Sequence, residues 1–166
     1  MASLPDAEKL CQQLARELKA HVKASTAMIG IHTGGAWVAE RLHAALGMQE
    51  PLGLLDIAFY RDDYAKQGLA KDPKRSKIPF AVEGRDLLLV DDVLHTGRTV
   101  RAAMNELFDY GRPATITLVV LAERGGRQLP ICAQFAGARV EVPAGMRLRL
   151  KRDGKGKLSL ELERGA

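Results

Sequence analysis

The chain is poor in aromatic residues and in cysteine. Phenylalanine, tyrosine and tryptophan make up only 5% of its 166 residues, so no RNA-recognition motif built on stacked aromatic rings is present. The two cysteines, Cys11 and Cys132, do not have the spacing of metal ligands. We therefore expect two reduced thiols in a cytoplasmic protein, and a disulfide is the alternative.

Long apolar segments are absent as well. No run of about 18 apolar residues occurs, so we expect no membrane span and no membrane partner. The first residues, MASLPDAEKLCQQL, contain acids early and no apolar core, so we expect no secretory signal. The hydrophobic content of 46% predicts one globular domain over residues 1–166 with a sizeable core.

Acidic residues are outnumbered by basic ones, and the formal net charge is +5. This balance favours polyanionic ligands such as phosphates, pyrophosphate or RNA, without selecting one of them. Part of the charge lies in residues 61–79, which combine six Lys and Arg with three Asp and two Pro and have almost no apolar periodicity. A segment of this composition predicts a functional or mobile loop.

Apolar strand patterns alternate with helical patterns along most of the chain. Helical patterns cover residues 4–22, 36–46 and 99–110, and strand patterns cover residues 27–31, 52–60, 87–90 and 115–122. Gly47 and Gly111 are placed to end the second and third helices. The alternation predicts an α/β fold with a parallel sheet and right-handed crossovers.

The pattern changes after Glu123. Alternating residues predict short antiparallel strands at residues 138–142, 146–150 and 158–162, with a turn at Asp153-Gly154. Ligands of open α/β sheets bind beyond the carboxyl ends of the strands. That edge is predicted to gather residues 32–35, 91–99 and 123–130.

Residues 86–103, DLLLVDDVLHTGRTVRAA, are the most informative segment. The buried strand pattern is followed by the adjacent carboxylates Asp91 and Asp92, and then by Thr-Gly-Arg-Thr at the start of a helix. A helix start offers free backbone N–H groups and a positive dipole end to a phosphate. Gly97 lets the backbone approach that anion closely. The two carboxylates then suit ribose hydroxyls or a hydrated Mg²⁺ beside the phosphate.

The segment VDDVLHTGRT resembles the phosphoribosyl pyrophosphate (PRPP) signature of type I phosphoribosyltransferases. FYRDD at residues 59–63, together with Arg124-Gly125, Arg127 and the Leu-Pro-Ile at residues 129–131, narrows the resemblance to the PyrR family. Members of that family are pyrimidine operon regulators that also have uracil phosphoribosyltransferase activity. The resemblance implies a central parallel sheet flanked by helices, a flexible loop at about residues 61–80 and a small C-terminal β hood at about residues 123–166.

The resemblance also implies a reaction in which uracil and PRPP give UMP and pyrophosphate with the help of Mg²⁺. Catalysis would rest on positioning, on stabilisation of the leaving group and on exclusion of water. Further partners implied by the family are UTP and a pyr mRNA leader. The family also implies a homodimer or a higher homo-oligomer.

The resemblance assigns roles to four groups of residues. Asp91 and Asp92 would hold the ribose hydroxyls, directly or through metal-bound water, and together with Arg61 they are the implied catalytic residues. Phosphate binding is implied for Val93, Leu94, His95, Thr96, Gly97, Arg98 and Thr99. The pyrophosphate loop would be Thr33, Gly34 and Gly35, and the flexible loop would begin with Tyr60, Asp62 and Asp63. Base binding is implied for Glu123, Arg124, Gly125 and Arg127.

The chain departs from the family pattern at two places. The pyrophosphate loop of the family has an arginine after its threonine, where this chain has Gly34, so a fixed positive charge is absent there. The base-binding segment of the family reads Asp-Arg-Gly-His-Arg-Glu, and this chain differs at Glu123, Gly126 and Gln128. The preference for uracil is therefore less firmly implied than the binding of PRPP.

Two other functions remain open from the sequence. One is a nucleotide-sensing RNA-binding regulator that has weak or no catalysis and binds UMP or UTP in the same pocket. The other is a phosphoribosyltransferase for another base. Five basic residues near the C-terminus either form an RNA-binding face or belong to a solvated hairpin: Arg139, Arg147, Arg149, Lys151 and Arg152.

Overall fold

The structure, a computed structural model, describes residues 3–57 and 76–165. Most of the predicted flexible loop lies outside these residues, and so do Tyr60, Arg61, Asp62 and Asp63. The helices are α1 (Ala7–Leu18), α2 (Gly34–Leu46) and α3 (Arg98–Asp109), and a 3₁₀ turn (Lys19–His21) follows α1. The strands are β1 (Ala27–Ile31), β2 (Gly53–Leu55), β3 (Asp86–Leu94), β4 (Thr115–Glu123), β5 (Phe135–Arg139), β6 (Met146–Arg152) and β7 (Leu158–Arg164).

The predicted parallel sheet is confirmed. Five strands pair in the order β2-β1-β3-β4-β5, and all four neighbouring pairs are parallel. The alternating side chains of β3 divide the core, because Leu88 and Val90 pack with α1 and α2 while Leu87 and Leu89 pack with α3. The helices therefore cover both faces of the sheet, as buried parallel strands require.

The first strand predicted after Glu123 is wrong in position and in direction. We expected an antiparallel strand at residues 138–142, but the structure has β5 at Phe135–Arg139, paired in parallel with β4. Gln134 fixes this pairing, since its backbone N–H donates to Leu118 O and its side-chain oxygen accepts from Leu118 N. The extension of the main sheet depends on contacts that alternation within one segment does not reveal.

The C-terminal hairpin is confirmed as a separate two-stranded antiparallel sheet. β6 and β7 pair from Met146 opposite Arg164 to Arg152 opposite Leu158, with the turn at the predicted Asp153-Gly154. One face of the hairpin is apolar and completes the core beside α1 and α2 through Leu148, Leu150, Leu158 and Leu160. This hairpin is the small C-terminal β structure expected from the resemblance, although β5, within the expected hood of about residues 123–166, extends the main sheet instead.

Several element boundaries differ from the sequence prediction. The first helix is shorter than residues 4–22, and the predicted strand at residues 52–60 is a strand only at Gly53–Leu55 within the described part of the chain. α2 begins at Gly34 rather than at residue 36, and it ends at Gly47 as expected, with a φ of 60°. β3 continues beyond residue 90 to Leu94, because it stays paired with β4 as far as Glu123.

Both cysteines are free thiols, as expected. Burial raises the pKa of Cys11 to about 12, so this thiol is protonated at neutral pH and is unreactive as a nucleophile. Cys132 is exposed. No helix in the described ranges is long and apolar enough to cross a membrane.

Candidate functional site

A cleft of about 930 Å³ lies at the carboxyl edge of the sheet. The segments that follow β1, β3 and β4 contribute to it, as the position of ligands in open α/β sheets predicts. Of the residues singled out from the sequence, the cleft is lined by Thr33, Gly34, Asp91, Asp92, Val93, His95, Arg98, Thr99 and Arg124. The remaining described candidates, which do not line it, are Gly35, Leu94, Thr96, Gly97, Glu123, Gly125 and Arg127.

The paired carboxylates lie within β3 rather than after it. Asp91 is 4% exposed, and its Oδ1 accepts a hydrogen bond of 2.8 Å from Asp92 N. Asp92 is half-buried, and its Oδ1 accepts from Val93 N at 2.7 Å. Each carboxylate is thus oriented by a backbone N–H group, which holds two acceptors side by side in the wall of the cleft.

The predicted pyrophosphate loop forms the first turn of α2. Thr33 is the N-cap residue and its side chain makes no capping hydrogen bond, and the His32–Thr33 peptide bond is cis. The two glycines that follow lie directly against β3. A Cβ atom on Gly34 would be 2.0 Å from Asp92 Oδ2, and one on Gly35 would be 2.6 Å from Val90 O. Glycine at both positions lets the helix start touch the paired carboxylates.

The predicted phosphate site is the start of α3. Gly97 is its N-cap residue with a φ of 94°, a left-handed conformation that favours glycine, and no side chain caps the helix. Thr96 supports the turn, because its carbonyl accepts from Gln128 N and Leu129 N and its Oγ1 accepts from Arg98 N. The start of α3 thus presents backbone donors and a positive dipole end to the cleft, although Arg98 N is already bonded to Thr96 Oγ1.

The side chain of Arg98 lies at the cleft and also contacts the segment after β4. Its guanidinium Nε donates to Gln128 Oε1 at 2.9 Å, and this contact ties the start of α3 to the segment after β4. Leu94 is 1% exposed and belongs to the apolar core on the α3 side of the sheet. The side chain of Leu94 therefore belongs to the core and does not line the cleft.

Arg124 connects the sheet to the hairpin. Its Nη1 donates to Met146 O at 3.2 Å, and its buried Nε has no hydrogen-bond partner within the described residues. His95 lies beside it, and burial followed by repulsion from Arg124 and Arg127 lowers the pKa of His95. The neutral imidazole is therefore favoured at pH 7, and each of its two ring nitrogens then has a separate role, one as donor and one as acceptor.

Arg127 holds the segment between β4 and β5 together. Its Nε donates to Ile131 O at 2.9 Å, and its Nη1 donates to the backbone carbonyls of His95 and Arg124. Its Nη2 lies 3.8 Å from Glu123 Oε2. These contacts keep both Arg127 and Glu123 in a network of loop contacts outside the cleft.

Part of the cleft was not foreseen from the motifs. Trp37 in α2 lines it, and so does strand β6, which contributes Arg147, Arg149 and Lys151. The only available signal was the alternation of basic and apolar residues in MRLRLKR, which predicts two different faces but not what each face meets. These three basic residues thus line a ligand cleft.

Residues 2–140 match the family described as "Phosphoribosyl transferase domain". The chain is 49% identical over 165 residues to "Bifunctional protein PyrR" of Pseudomonas fluorescens, with 97% of each chain covered. It is 48% identical over 163 residues to the protein of that name from Pseudomonas aeruginosa strain LESB58, with 96% of this chain and 95% of the relative covered.

Solved structures share the fold. A hypoxanthine-guanine-xanthine phosphoribosyltransferase superposes with a TM-score of 0.61 at 24% identity, covering 82% of this chain and 74% of its own. A hypoxanthine-guanine phosphoribosyltransferase from Bacillus anthracis gives a TM-score of 0.63 at 14% identity, covering 88% of each chain. At these identities the likeness supports the fold alone.

Proposed function

The chain belongs to the PyrR family of type I phosphoribosyltransferases, and we propose that it converts uracil and PRPP to UMP and pyrophosphate. One observation carries this proposal. The paired carboxylates of β3 and the uncapped start of α3 line a single cleft at the carboxyl edge of the sheet. Together they offer acceptors for ribose hydroxyls and donors for a phosphate, which are the two ends of a ribose 5-phosphate group.

In this proposal the 5′-phosphate of PRPP binds to the backbone N–H groups at the start of α3. Asp91 and Asp92 accept hydrogen bonds from the 2′- and 3′-hydroxyls of the ribose. A nitrogen of uracil then displaces pyrophosphate at the anomeric carbon. The cleft contributes by holding both reactants in line and by excluding water, since the reaction needs no protein nucleophile.

Enzymes of this fold generally use Mg²⁺ with PRPP. No group of three His, Cys, Asp or Glu side chains in the described ranges could hold a metal ion by itself. The two adjacent carboxylates nevertheless fit Mg²⁺, which typically takes one or two carboxylates and fills its other positions with water and substrate oxygens. Asp91 and Asp92 would hold it, and when bound it would neutralise charge on the pyrophosphate.

We propose that Arg124 lies on the base side of the cleft, with His95 beside it. Its guanidinium donors suit the two carbonyl oxygens of uracil, and its Nε is buried without a partner among the described residues. The next residue, Gly125, has open space around it, because no described atom lies within 4 Å of a Cβ atom built on Gly125. Glu123 and Arg127 act as positioning residues, because their contacts hold the segment that carries Arg124.

The proposed activity is tested by offering uracil, hypoxanthine, guanine and orotate separately with PRPP and Mg²⁺. We expect nucleotide formation with uracil and little with the purines or orotate. The purine bases are the informative comparison, because the solved structures that share the fold carry the names of purine enzymes. Nucleotide formation with hypoxanthine and not with uracil would replace the proposed substrate, and no product with any base would reject the enzyme.

A second function, regulation through RNA, is implied by the family resemblance, and similar chains carry the name "Bifunctional protein PyrR". We propose that the chain also binds a pyr mRNA leader in response to UMP or UTP. A gel-shift titration with the leader RNA of the same genome, with and without UMP, tests this role. We expect a shift that depends on the nucleotide and weakens with salt, and no shift at any nucleotide concentration would leave the enzyme as the sole function.

We also propose that the chain forms a homodimer or a higher homo-oligomer, as the family resemblance implies. Light scattering coupled to size-exclusion chromatography measures this directly. The expected mass is twice the chain mass of 18.1 kDa or a larger multiple. A mass of one chain across the working concentration range would contradict the proposed assembly.

A further inference from the structure

The C-terminal hairpin presents three basic side chains to the cleft. Successive residues of a strand point to opposite faces, and in β6 this alternation separates apolar from basic residues. Leu148 and Leu150 are buried in the core that includes α1 and α2. Residues of both faces line the cleft, and we call the basic ones among them the basic face of β6: Arg147, Arg149 and Lys151.

The hairpin holds this face in a fixed position. At one end Met146 O accepts from Arg124 Nη1, which joins β6 to the segment after β4. At the other end Leu158 N donates to Glu8 Oε1 at 2.9 Å, and Glu8 also accepts from Arg41 of α2. The basic face is therefore preorganised on a strand that is packed on its apolar side and hydrogen-bonded near both ends.

The basic face keeps a positive charge in the cleft. Glu163 in β7 pairs with Arg149 at 3.3 Å and also with Lys151, but Glu163 does not line the cleft. Arg147 takes part in none of the ion pairs within the described ranges. The three cations line the cleft, whereas Glu163 and Glu161, which lie opposite Arg147 and Arg149 in β7, do not.

The start of α2 lines the same cleft as β6, through Thr33, Gly34 and Trp37. Arg152, the last residue of β6, contacts Trp37 from the apolar face of the strand, with its guanidinium 4.7 Å from the ring centroid. Gly34 has no side chain, and the close approach of Asp92 leaves no room for one without displacing that carboxylate. The pyrophosphate loop therefore lacks a cation of its own, while β6 brings three cations into the same cleft.

We propose that the basic face of β6 binds the pyrophosphate group of PRPP and supplies the positive charge that Gly34 does not. This inference rests on the proposed function. In the reaction the bond between uracil nitrogen and the anomeric carbon forms, the bond between that carbon and the pyrophosphate oxygen breaks, and pyrophosphate leaves with the electron pair. The proton of the uracil nitrogen passes to solvent. Because negative charge grows on the leaving oxygen, fixed cations beside it lower the barrier.

Two triple variants test the proposal. The cleft variant changes Arg147→Gln, Arg149→Gln and Lys151→Gln. The control variant changes Lys155→Gln, Lys157→Gln and Arg164→Gln, which removes the same charge from exposed positions of the hairpin that do not line the cleft. Calorimetry then measures the binding of three probes to each protein: PRPP, inorganic pyrophosphate and ribose 5-phosphate.

We expect the cleft variant to bind PRPP and pyrophosphate about 10-fold or more weakly than the wild type, since charge-assisted contacts to phosphate are lost. Its affinity for ribose 5-phosphate should not change, and the control variant should bind all three probes as the wild type does. The single variant Arg147→Gln breaks no ion pair in the described part of the chain. It should keep the wild-type melting temperature and lose a smaller part of the same two affinities.

Four outcomes would overturn the proposal. The first is pyrophosphate binding that does not change in the cleft variant, and the second is an equal loss of affinity in the control variant. The third is an equal loss of affinity for ribose 5-phosphate. The fourth is a cleft variant that no longer binds leader RNA but still binds pyrophosphate. Uracil takes no part in these titrations. A wild type that binds pyrophosphate through β6 but makes no UMP would contradict only the proposed enzymatic function.

Discussion

At the scale of single residues, the two glycines at the start of α2 let this helix lie directly against the paired carboxylates. A Cβ atom on Gly34 would lie 2.0 Å from Asp92 Oδ2 and 2.7 Å from Asp92 Cγ. On Gly35 it would lie 2.6 Å from a backbone oxygen of Val90. The contact that brings α2 against the carboxylates thus excludes a side chain at Gly35, while a side chain at Gly34 would have to displace the Asp92 carboxylate.

The variant Gly34→Ala should therefore lower catalytic activity while the protein stays folded. The new methyl group meets the end of the Asp92 side chain, which can rotate away, so we expect a folded protein with a misplaced carboxylate. A displacement of this size should lower kcat/KM by about 10- to 100-fold. Steady-state kinetics and the melting temperature check this prediction.

Two further alanine variants serve as controls for Gly34→Ala. Gly35→Ala meets backbone atoms that cannot rotate away, so it should lower the melting temperature. Gly154→Ala lies in a turn with no described atom within 4 Å of the new methyl group, and it should leave both quantities unchanged. Wild-type kinetics for Gly34→Ala would contradict the role given to Asp92.

Glu106 in α3 makes stability depend on pH. Burial raises the pKa of Glu106, the nearby Asp56 and Asp109 add to the rise, and a hydrogen bond from Ser76 Oγ to Glu106 Oε1 at 2.6 Å opposes it. The folded protein thus favours the protonated acid more than the unfolded chain does. The stability contributed by this group is complete below the ordinary pKa of 4.5 and is lost as pH rises through the raised value.

The variant Glu106→Gln should remove the loss of stability at higher pH, because the amide stays neutral at every pH. We expect its free energy of unfolding, relative to that of the wild type, to increase as pH rises from 4 to 7.5 in urea titrations. Glu141→Gln, at an exposed position, is the control and should show no such trend. A difference between Glu106→Gln and the wild type that stays constant with pH would be the contrary result.

At the scale of elements, Glu8 joins three parts of the fold. It lies in α1, pairs with Arg41 of α2 at 3.2 Å, and accepts from the backbone N–H of Leu158 at the start of β7. Although burial raises its pKa, the hydrogen bonds from Arg41 and Leu158 outweigh it, and the net effect is a lowered pKa. The stabilisation by Glu8 is therefore present above pH 4.5 and is lost as pH falls through the lowered pKa.

The variant Glu8→Ala should loosen the hairpin from the helices. We expect a loss of about 1.5 to 3 kcal/mol in the free energy of unfolding, the usual range for hydrogen bonds to charged groups. Hydrogen exchange should quicken most in β6 and β7. Glu17→Ala in the same helix is the control, since its carboxylate bonds only to Gln13 within the described ranges, and it should cost less than about 0.5 kcal/mol. Equal exchange in both variants would contradict the joining role of Glu8.

At the scale of the whole molecule, the sequence was most informative where a function depends on neighbouring residues. The strand, the two carboxylates and the turn at Gly97 follow one another within residues 86–103, so local patterns alone predicted the phosphate site. Sequence reasoning failed where distant segments decide the outcome. The parallel pairing of β5 depends on β4. The hydrogen bonds from Arg127 to the carbonyls of His95 and Ile131 are likewise contacts that the local sequence did not predict.

In the proposal, the elements on the two faces of the sheet bind different parts of the ligand. α3 covers one face and brings the uncapped helix start for the 5′-phosphate, while α2 and the hairpin cover the other face and bring the basic face of β6. The paired carboxylates of β3 lie between them in the central part of the sheet. A ligand with a phosphate at each end and a ribose in the middle matches this distribution of charge.

The most direct measurement is the rate of UMP formation from uracil and PRPP by the wild type and by the double variant Asp91→Asn, Asp92→Asn. Asparagine keeps an oxygen that can accept the backbone hydrogen bonds now made to Asp91 Oδ1 and Asp92 Oδ1, and it removes both negative charges. We predict UMP formation by the wild type and a rate lower by about 100-fold or more in the folded double variant. Equal rates in the two proteins, or no UMP from the wild type, would contradict a phosphoribosyltransferase site built on these carboxylates.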